Sequence, residues 1–230
     1  MRALDVMTTA VLSVAPETTV RDAAKMLVEQ RISAAPVIDA TGKLVGILSE
    51  GDLMRRVEVG TENPRRSSWW LDLLATGADA QDYVKSHGQH VADIMTRDVI
   101  FVDEETPLSD IASLLESNGI KRVPVMRQGK VVGIVSRANL VQAMASAPAE
   151  TALEIDSTDR EIRAAILGEI AGRPWAFAGR NIVVRDGVVH LWGMFRSPDV
   201  VQAVRVAAEG IPGVKRVEDH TEPLPVVVGY

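Results

Sequence analysis

The chain has 230 residues, room for one large domain or two to three small ones, with 47% hydrophobic and 24% charged residues, the balance of a soluble globular protein. A formal net charge of −6 argues against a general nucleic-acid-coating role, and the absence of cysteine excludes a disulfide framework and any thiolate metal site. No apolar run approaches the roughly 20 residues needed to cross a bilayer, and Met1-Arg2-Ala3-Leu4-Asp5 lacks a signal core, which points to the cytoplasm.

In chain order, the first feature is a duplication. Val6–Ile38 aligns on Ile94–Met126 with a shift of 88, and Gly42–Leu53 on Gly129–Leu140 with a shift of 87; 19 of these 45 pairs are identical, far above chance. Each copy begins with a short extended segment, Val11–Val14 or Val99–Val102, and a turn at Pro16 or Pro107. An amphipathic helix follows, with Val20, Ala23, Ala24, Leu27 and Val28 on its apolar face in the first copy, and Leu108, Ile111, Ala112, Leu114 and Leu115 in the second. A strand entered through Pro36 or Pro124 then turns back, through Asp39–Lys43 or Arg127–Lys130, into Leu44–Leu48 or Val131–Val135, and a second helix closes the unit. One unit of about 50 residues is marginal for a core of its own. Two copies predict packing sheet against sheet with pseudo-two-fold symmetry and a cleft lined twice by the strand-to-helix junctions.

Those junctions carry the chemistry. In Gly46-Ile47-Leu48-Ser49-Glu50-Gly51-Asp52-Leu53, Ser49 stands at the N-cap and Asp52 in the first helical turn, as capping and the helix dipole favour. Gly133-Ile134-Val135-Ser136-Arg137-Ala138-Asn139-Leu140 repeats the pattern with Asn139 for Asp52. A carboxylate accepts two bonds from vicinal hydroxyls and a helix N-terminus offers N–H groups to phosphate, so nucleotide recognition is chemically reasonable here. A capped structural junction is the alternative.

The β-α-β-β-α repeat with its Gly-hydrophobic-hydrophobic-Ser-x-x-Asp signature resembles the CBS domain, and the pair resembles a Bateman module over residues 1–145. The resemblance implies an adenosine-containing ligand (AMP, ADP, ATP, S-adenosylmethionine or NAD) in the cleft and a conformational response to it. It implies that Ser49 and Ser136 meet the phosphate or ribose edge and Asp52 the ribose hydroxyls, with Asn139 making a weaker or differently selective second site. It further implies adenine contacts along Ile32, Ala34, Ala35 and Pro36 and along Ile120, Val123 and Pro124, phosphate contacts from Lys121 and Arg137, and a place for Thr8 and Thr96 in the two sites. Leu53, Met54, Val57, Leu140, Val141 and Met144 are apolar helix positions that suit a homodimer.

Residues 59–91 form a helical insert. Ser67–Leu74 reads as a helix start carrying the adjacent Trp69 and Trp70, which suits core or interface packing, or with Arg65 and Arg66 a membrane surface, and Ala80–Ser86 reads as a further short helix. With 4 histidines, metal chemistry has few candidates; His87-x-x-His90 is interrupted by Gly88 and lacks further ligands, so no metal is expected.

Residues 147–156 have linker composition and 223–230 a tail. Between them, at 157–222, a helix over Asp159–Ala171 with Ile162, Ala165, Ile166 and Ile170 on one face precedes a hairpin, Asn181–Val184 and Val188–Met194, turned by Asp186-Gly187. His190 alternates out of phase with Val189 and Leu191 and is expected on the solvated face, while Trp192 and Phe195 suit edge packing or a partner. A helix opened by Pro198 and a strand at Val214–Asp219 complete an α-β-β-α-β order. With Gly187-x-Val189-x-Leu191-x-Gly193 and Ile211-Pro212-Gly213-Val214, this resembles the BON domain, which implies a phospholipid or protein partner. The fold expected is therefore α/β and α+β: two CBS repeats, 1–58 and 92–146, and a BON-like domain. The function expected is a non-catalytic sensor. A scaffold with empty clefts, associated with envelope or phospholipid, and a nucleotide-acting enzyme are the alternatives; no phosphate-cradling glycine loop, nucleophile–base pair or metal cluster favours the enzyme.

Overall fold

The computed structural model describes residues 1–54, 84, 87–146, 157–173, 175, 181–195 and 197–223. The expected insert helices with Trp69 and Trp70, Val57, and the linker lie outside these residues, apart from the isolated position Val84. The chain forms two compact units, Leu12–Ile100 on the one hand and Met1–Val11 with Phe101–Tyr230 on the other. Among the described residues no helix is long and apolar enough to cross a membrane.

The Leu12–Ile100 unit is built on β1 (Ala34–Ile38) and β2 (Leu44–Ser49), which pair antiparallel with Pro36 opposite Ile47. Val14 lies parallel to Val37 at one edge, and Thr96 lies antiparallel to Ile47 at the other. The proline is tolerated because Ile47 gives its own N–H and C=O to Thr96, leaving no ladder bond for Pro36 to lack on that side. Helix α2 (Val20–Gln30), capped by Thr19 accepting from the Asp22 amide, buries Val20, Ala23 and Leu27. Val28, expected on that face, is 76% exposed, because it lies 100° on from Leu27 and outside the narrow stripe. The unit continues through α3 (Glu50–Leu53), and its core is closed by α4 (Val91–Ile94), a single turn whose Val91 and Ile94 pack with Val37 and Leu48.

The other unit repeats this plan. Its two-residue β3 (Val102–Asp103) runs parallel to β4 (Arg122–Arg127), which pairs antiparallel with β5 (Lys130–Ser136) through a tight turn with Gln128 and Gly129 at positive φ. Thr8 closes the edge against Ile134. Leu108, Ile111 and Leu115 of α5 (Leu108–Ser117) enter the core, whereas Ala112, expected with them, is exposed. The single turn α1 (Ala3–Val6) takes the place that α4 takes in the first unit, with Ala3 and Val6 fully buried. Each leading segment is thus built into the core of the other repeat. Helix α6 (Arg137–Ala145) follows β5.

The C-terminal part belongs to this second unit. Helices α7 (Ser157–Ile170) and α8 (Pro198–Glu209) cover one face of the sheet β6 (Asn181–Arg185), β7 (Val188–Phe195), β8 (Arg216–Pro223), in which β6–β7 is an antiparallel hairpin and β8 runs parallel to β7. Asp186 and Gly187 turn the hairpin at positive φ, and the buried Asp159 carboxylate accepts both of their amides at 2.7 and 2.8 Å. The buried stripe of α7 holds Asp159, Ile162, Arg163, Ile166 and Ile170; Ala165 is exposed, 120° away from its centre. His190 is 7% exposed, not solvated as its alternation suggested, because β6 is buried along both faces: the sheet's second face meets α1 and α6 of the same unit. Asn181 donates to Gln142 at 3.1 Å and the Trp192 indole to the Ser146 hydroxyl at 3.2 Å across that junction.

Candidate functional site

Each repeat holds the same small constellation where its second strand runs into a helix. In the first unit, Ser49 ends β2 and caps α3. Its amide and hydroxyl both donate to Asp52 Oδ2, at 2.8 and 2.7 Å. The carboxylate is only 9% exposed, and its second oxygen, Oδ1, faces the Thr96 hydroxyl at 3.4 Å. Thr96 is itself exposed, so Oδ1 and the threonine hydroxyl meet at the rim of the site. The start of β1 crosses close by: the Glu50 amide donates to the Ser33 carbonyl at 3.0 Å, and Ala34, Ala35 and Pro36 are buried opposite Ser49, Leu48 and Ile47, with Ile32 half-buried ahead of them.

In the second unit, the Ser136 amide and hydroxyl donate to Asn139 Oδ1 at 2.8 and 2.7 Å. Here the second polar atom is an amide nitrogen, and it donates to the Val6 carbonyl at 3.2 Å. Asn139 is 4% exposed. Where Asp52 turns an acceptor towards the site, Asn139 spends its remaining group on the backbone just before Thr8. Val123 and Pro124 are buried in β4, Ile120 is half-buried, and Lys121 and Arg137 are exposed beside them, with the Arg137 amide bound to the Lys121 carbonyl at 3.1 Å. All fifteen residues expected at the two sites therefore lie at or beside a junction: Ile32, Ala34, Ala35, Pro36, Ser49, Asp52 and Thr96 at one, and Thr8, Ile120, Lys121, Val123, Pro124, Ser136, Arg137 and Asn139 at the other.

The threonines reach these places through two glycines. Met95 packs under Gly46 and Met7 under Gly133, while reciprocal backbone bonds of 2.9–3.0 Å tie Thr96 to Ile47 and Thr8 to Ile134. A Cβ at Gly46 would run into the Met95 thioether and lie 3.1 Å from the Thr96 carbonyl oxygen. Gly46→Ala is therefore expected to cost about 1–3 kcal/mol by overpacking and to shift Thr96 away from Asp52. A thermal melt together with ligand titration of the variant checks both effects. Unchanged stability would mean that the segment is not held as described.

Of the apolar positions expected at a dimer surface, Met54, Val141 and Met144 are 59–65% exposed, whereas Leu53 and Leu140 turn partly inward onto the cores.

Sequence relationships agree with this geometry. The CBS domain model matches residues 3–59 and 91–146, and the BON domain model matches 158–222. The CBS domain-containing protein CBSX1, chloroplastic, of Arabidopsis thaliana is 39% identical over 138 residues, covering 56% of this chain and 57% of the relative. CBSX2, chloroplastic, of the same plant is 33% identical over 143 residues, covering 60% of each. The chain thus spans little more than half the length of these relatives. The crystal structure of CBSX2 in complex with AMP superposes with a TM-score of 0.55 at 33% identity, over 63% of this chain and 96% of that one.

Proposed function

The chain belongs to the CBS-domain family and carries a BON domain, and from that premise we propose that it is a non-catalytic regulatory protein that binds an adenosine nucleotide, AMP foremost, beside Ser49, Asp52 and Thr96. The observation that carries the reading is the buried Asp52 carboxylate, held by Ser49 through one oxygen while the other is turned towards the Thr96 hydroxyl. Such an oxygen accepts from a ribose hydroxyl with charge assistance. Ser49 gives its proton to Asp52, so its hydroxyl oxygen is left as an acceptor for the second ribose hydroxyl. The relative solved with AMP supports the nucleotide class.

The response passes through the leading segment. Val6 receives the Asn139 amide, Thr8 borders the second site, and the intervening backbone is gripped from the C-terminal domain: Arg163 donates to the Leu4 and Met7 carbonyls at 2.8 and 2.7 Å, and Arg160 to the buried Asp5 carboxylate at 2.7 Å. A nucleotide that occupies the second junction, beside Thr8, and favours one position of this segment shifts the presentation of the C-terminal domain by its difference in affinity for the two states. The exposed Met54, Val141 and Met144 suit a homodimer.

Calorimetric titration of the full chain with AMP, ADP, ATP, S-adenosylmethionine and NAD tests the reading. At least one is expected to bind, and at 100 times its Kd to stabilise the protein by about 2.7 kcal/mol. Heat from none of the five would overturn nucleotide binding, and steady turnover of a bound nucleotide would overturn the non-catalytic assignment.

A further inference from the structure

We propose that His190, Glu218 and His220 form a binding site for a divalent transition-metal cation of the zinc type on the sheet of the C-terminal domain. Strands β7 and β8 run parallel with His190 opposite Glu218 and Trp192 opposite His220. Glu218 and His220, two residues apart, share one face of β8, and that face also carries His190. His190 Nδ1 lies 3.1 Å from His220 Nε2 and 3.3 Å from Glu218 Oε2, and His220 Nε2 lies 3.7 Å from the same oxygen.

These three distances suit a cation. A triangle with sides of 3.1, 3.3 and 3.7 Å has a circumradius of about 2.0 Å, close to the roughly 2.0–2.2 Å of zinc–nitrogen and zinc–carboxylate bonds. A cation raised about 0.7 Å from the plane of the three atoms would sit about 2.1 Å from each, the height that tetrahedral coordination requires. Its fourth position would then be open to water, on the side where Glu218 and His220 are about one-third exposed. Two imidazoles and a carboxylate are the ligand set that zinc takes in three-ligand sites.

The surroundings hold the ligands in place. Arg216 donates to the other carboxylate oxygen, Oε1, at 2.8 Å, which leaves Oε2 for the imidazoles. Trp192 stacks on His220 at 4.1 Å between ring centroids and is anchored in turn to Ser146. In the metal-free protein the two ring nitrogens share a hydrogen bond; on cation binding the donor imidazole shifts to its other tautomer, its proton moving to the second ring nitrogen, so that both rings ligate as neutral imidazoles. The site does not depend on nucleotide binding.

The test uses untagged, chelator-treated full-length protein titrated with Zn2+, with Co2+ absorption as a reporter of coordination. One equivalent is expected to bind and to raise the melting temperature. His220→Gln and Glu218→Gln, both at partly exposed positions that tolerate change, are each expected to weaken binding by more than the roughly 10–100-fold that outer-shell changes cost. The double variant His87→Gln/His90→Gln is expected to bind as the parent does. Absence of one-equivalent binding, binding that survives in His220→Gln, or binding lost in the His87/His90 variant would each show that the trio is only a hydrogen-bonded cluster and overturn the proposal.

Discussion

Replacing Arg163 by methionine is expected to lower the stability of the unit that holds the second repeat and the C-terminal domain by about 3–5 kcal/mol, the usual cost of removing one partner from a buried charged network. Arg163 is 6% exposed, and its guanidinium meets three carbonyl oxygens: Ile182 at 2.7 Å, Leu4 at 2.8 Å and Met7 at 2.7 Å. Burial lowers its pKa to about 10, opposed by the charge of Asp5, so it stays ionised at neutral pH. Methionine fills most of the space but donates nothing, leaving three acceptors without their partner at roughly 1–3 kcal/mol for each one cut off from water. Lysine would keep the charge but cannot present the planar fork that spans two chain segments, so Arg163→Lys should recover only part of the loss. In a chain of this length the methionine variant should melt on the order of 10 °C lower, which calorimetry reads directly. Arg160→Ala, which takes the charged partner from the buried Asp5 carboxylate, should cost about 3 kcal/mol. A methionine variant that melts with the parent would show that the leading segment is not held from α7.

The duplicated fold and the two junctions were legible because their signals are local. Ser49 and Asp52, or Ser136 and Asn139, lie three residues apart, and a capping box requires only that spacing to form. The exchange of leading segments was not legible. Thr8 and Thr96 occur at equivalent places in a repeat of period 88, and a symmetric pattern is equally consistent with pairing inside each copy or across them. Gly46 and Gly133 held the clue, since a strand interior gives up a side chain where another chain segment must approach, here Met95 and Met7. Strand alternation put His190 on the face opposite Val189 and Leu191, but alternation says nothing of what covers that face. Arg163 shows the same limit of local patterns: two of the carbonyls its buried guanidinium meets are brought to it by a segment about 160 residues earlier. What buries Arg163 is distant in sequence and so beyond the reach of any local pattern.

The two junctions differ by one atom's chemistry, and that difference predicts unequal sites. Asp52→Ala is expected to weaken nucleotide binding about 100-fold or more, since charge-assisted hydrogen bonds are worth roughly 1.5–3 kcal/mol each and the freed Ser49 no longer has a fixed orientation. Folding should survive, because losing the capping box costs only about 1 kcal/mol. Asp52→Asn separates charge from shape: it keeps an oxygen for Ser49 but turns a donor where Oδ1 now faces Thr96, and it should resemble the alanine variant in affinity while melting like the parent. Asn139→Ala should behave differently. It frees the Val6 carbonyl and the Ser136 cap, lowering stability by about 1–2 kcal/mol, yet leaves affinity at the Asp52 junction within about twofold, as expected for sites that share no partner. Titration of the three variants with whichever nucleotide binds the parent separates these cases. If Asp52→Ala binds like the parent and Asn139→Ala does not, the nucleotide belongs to the second junction, and the carboxylate at the first serves only to cap its helix.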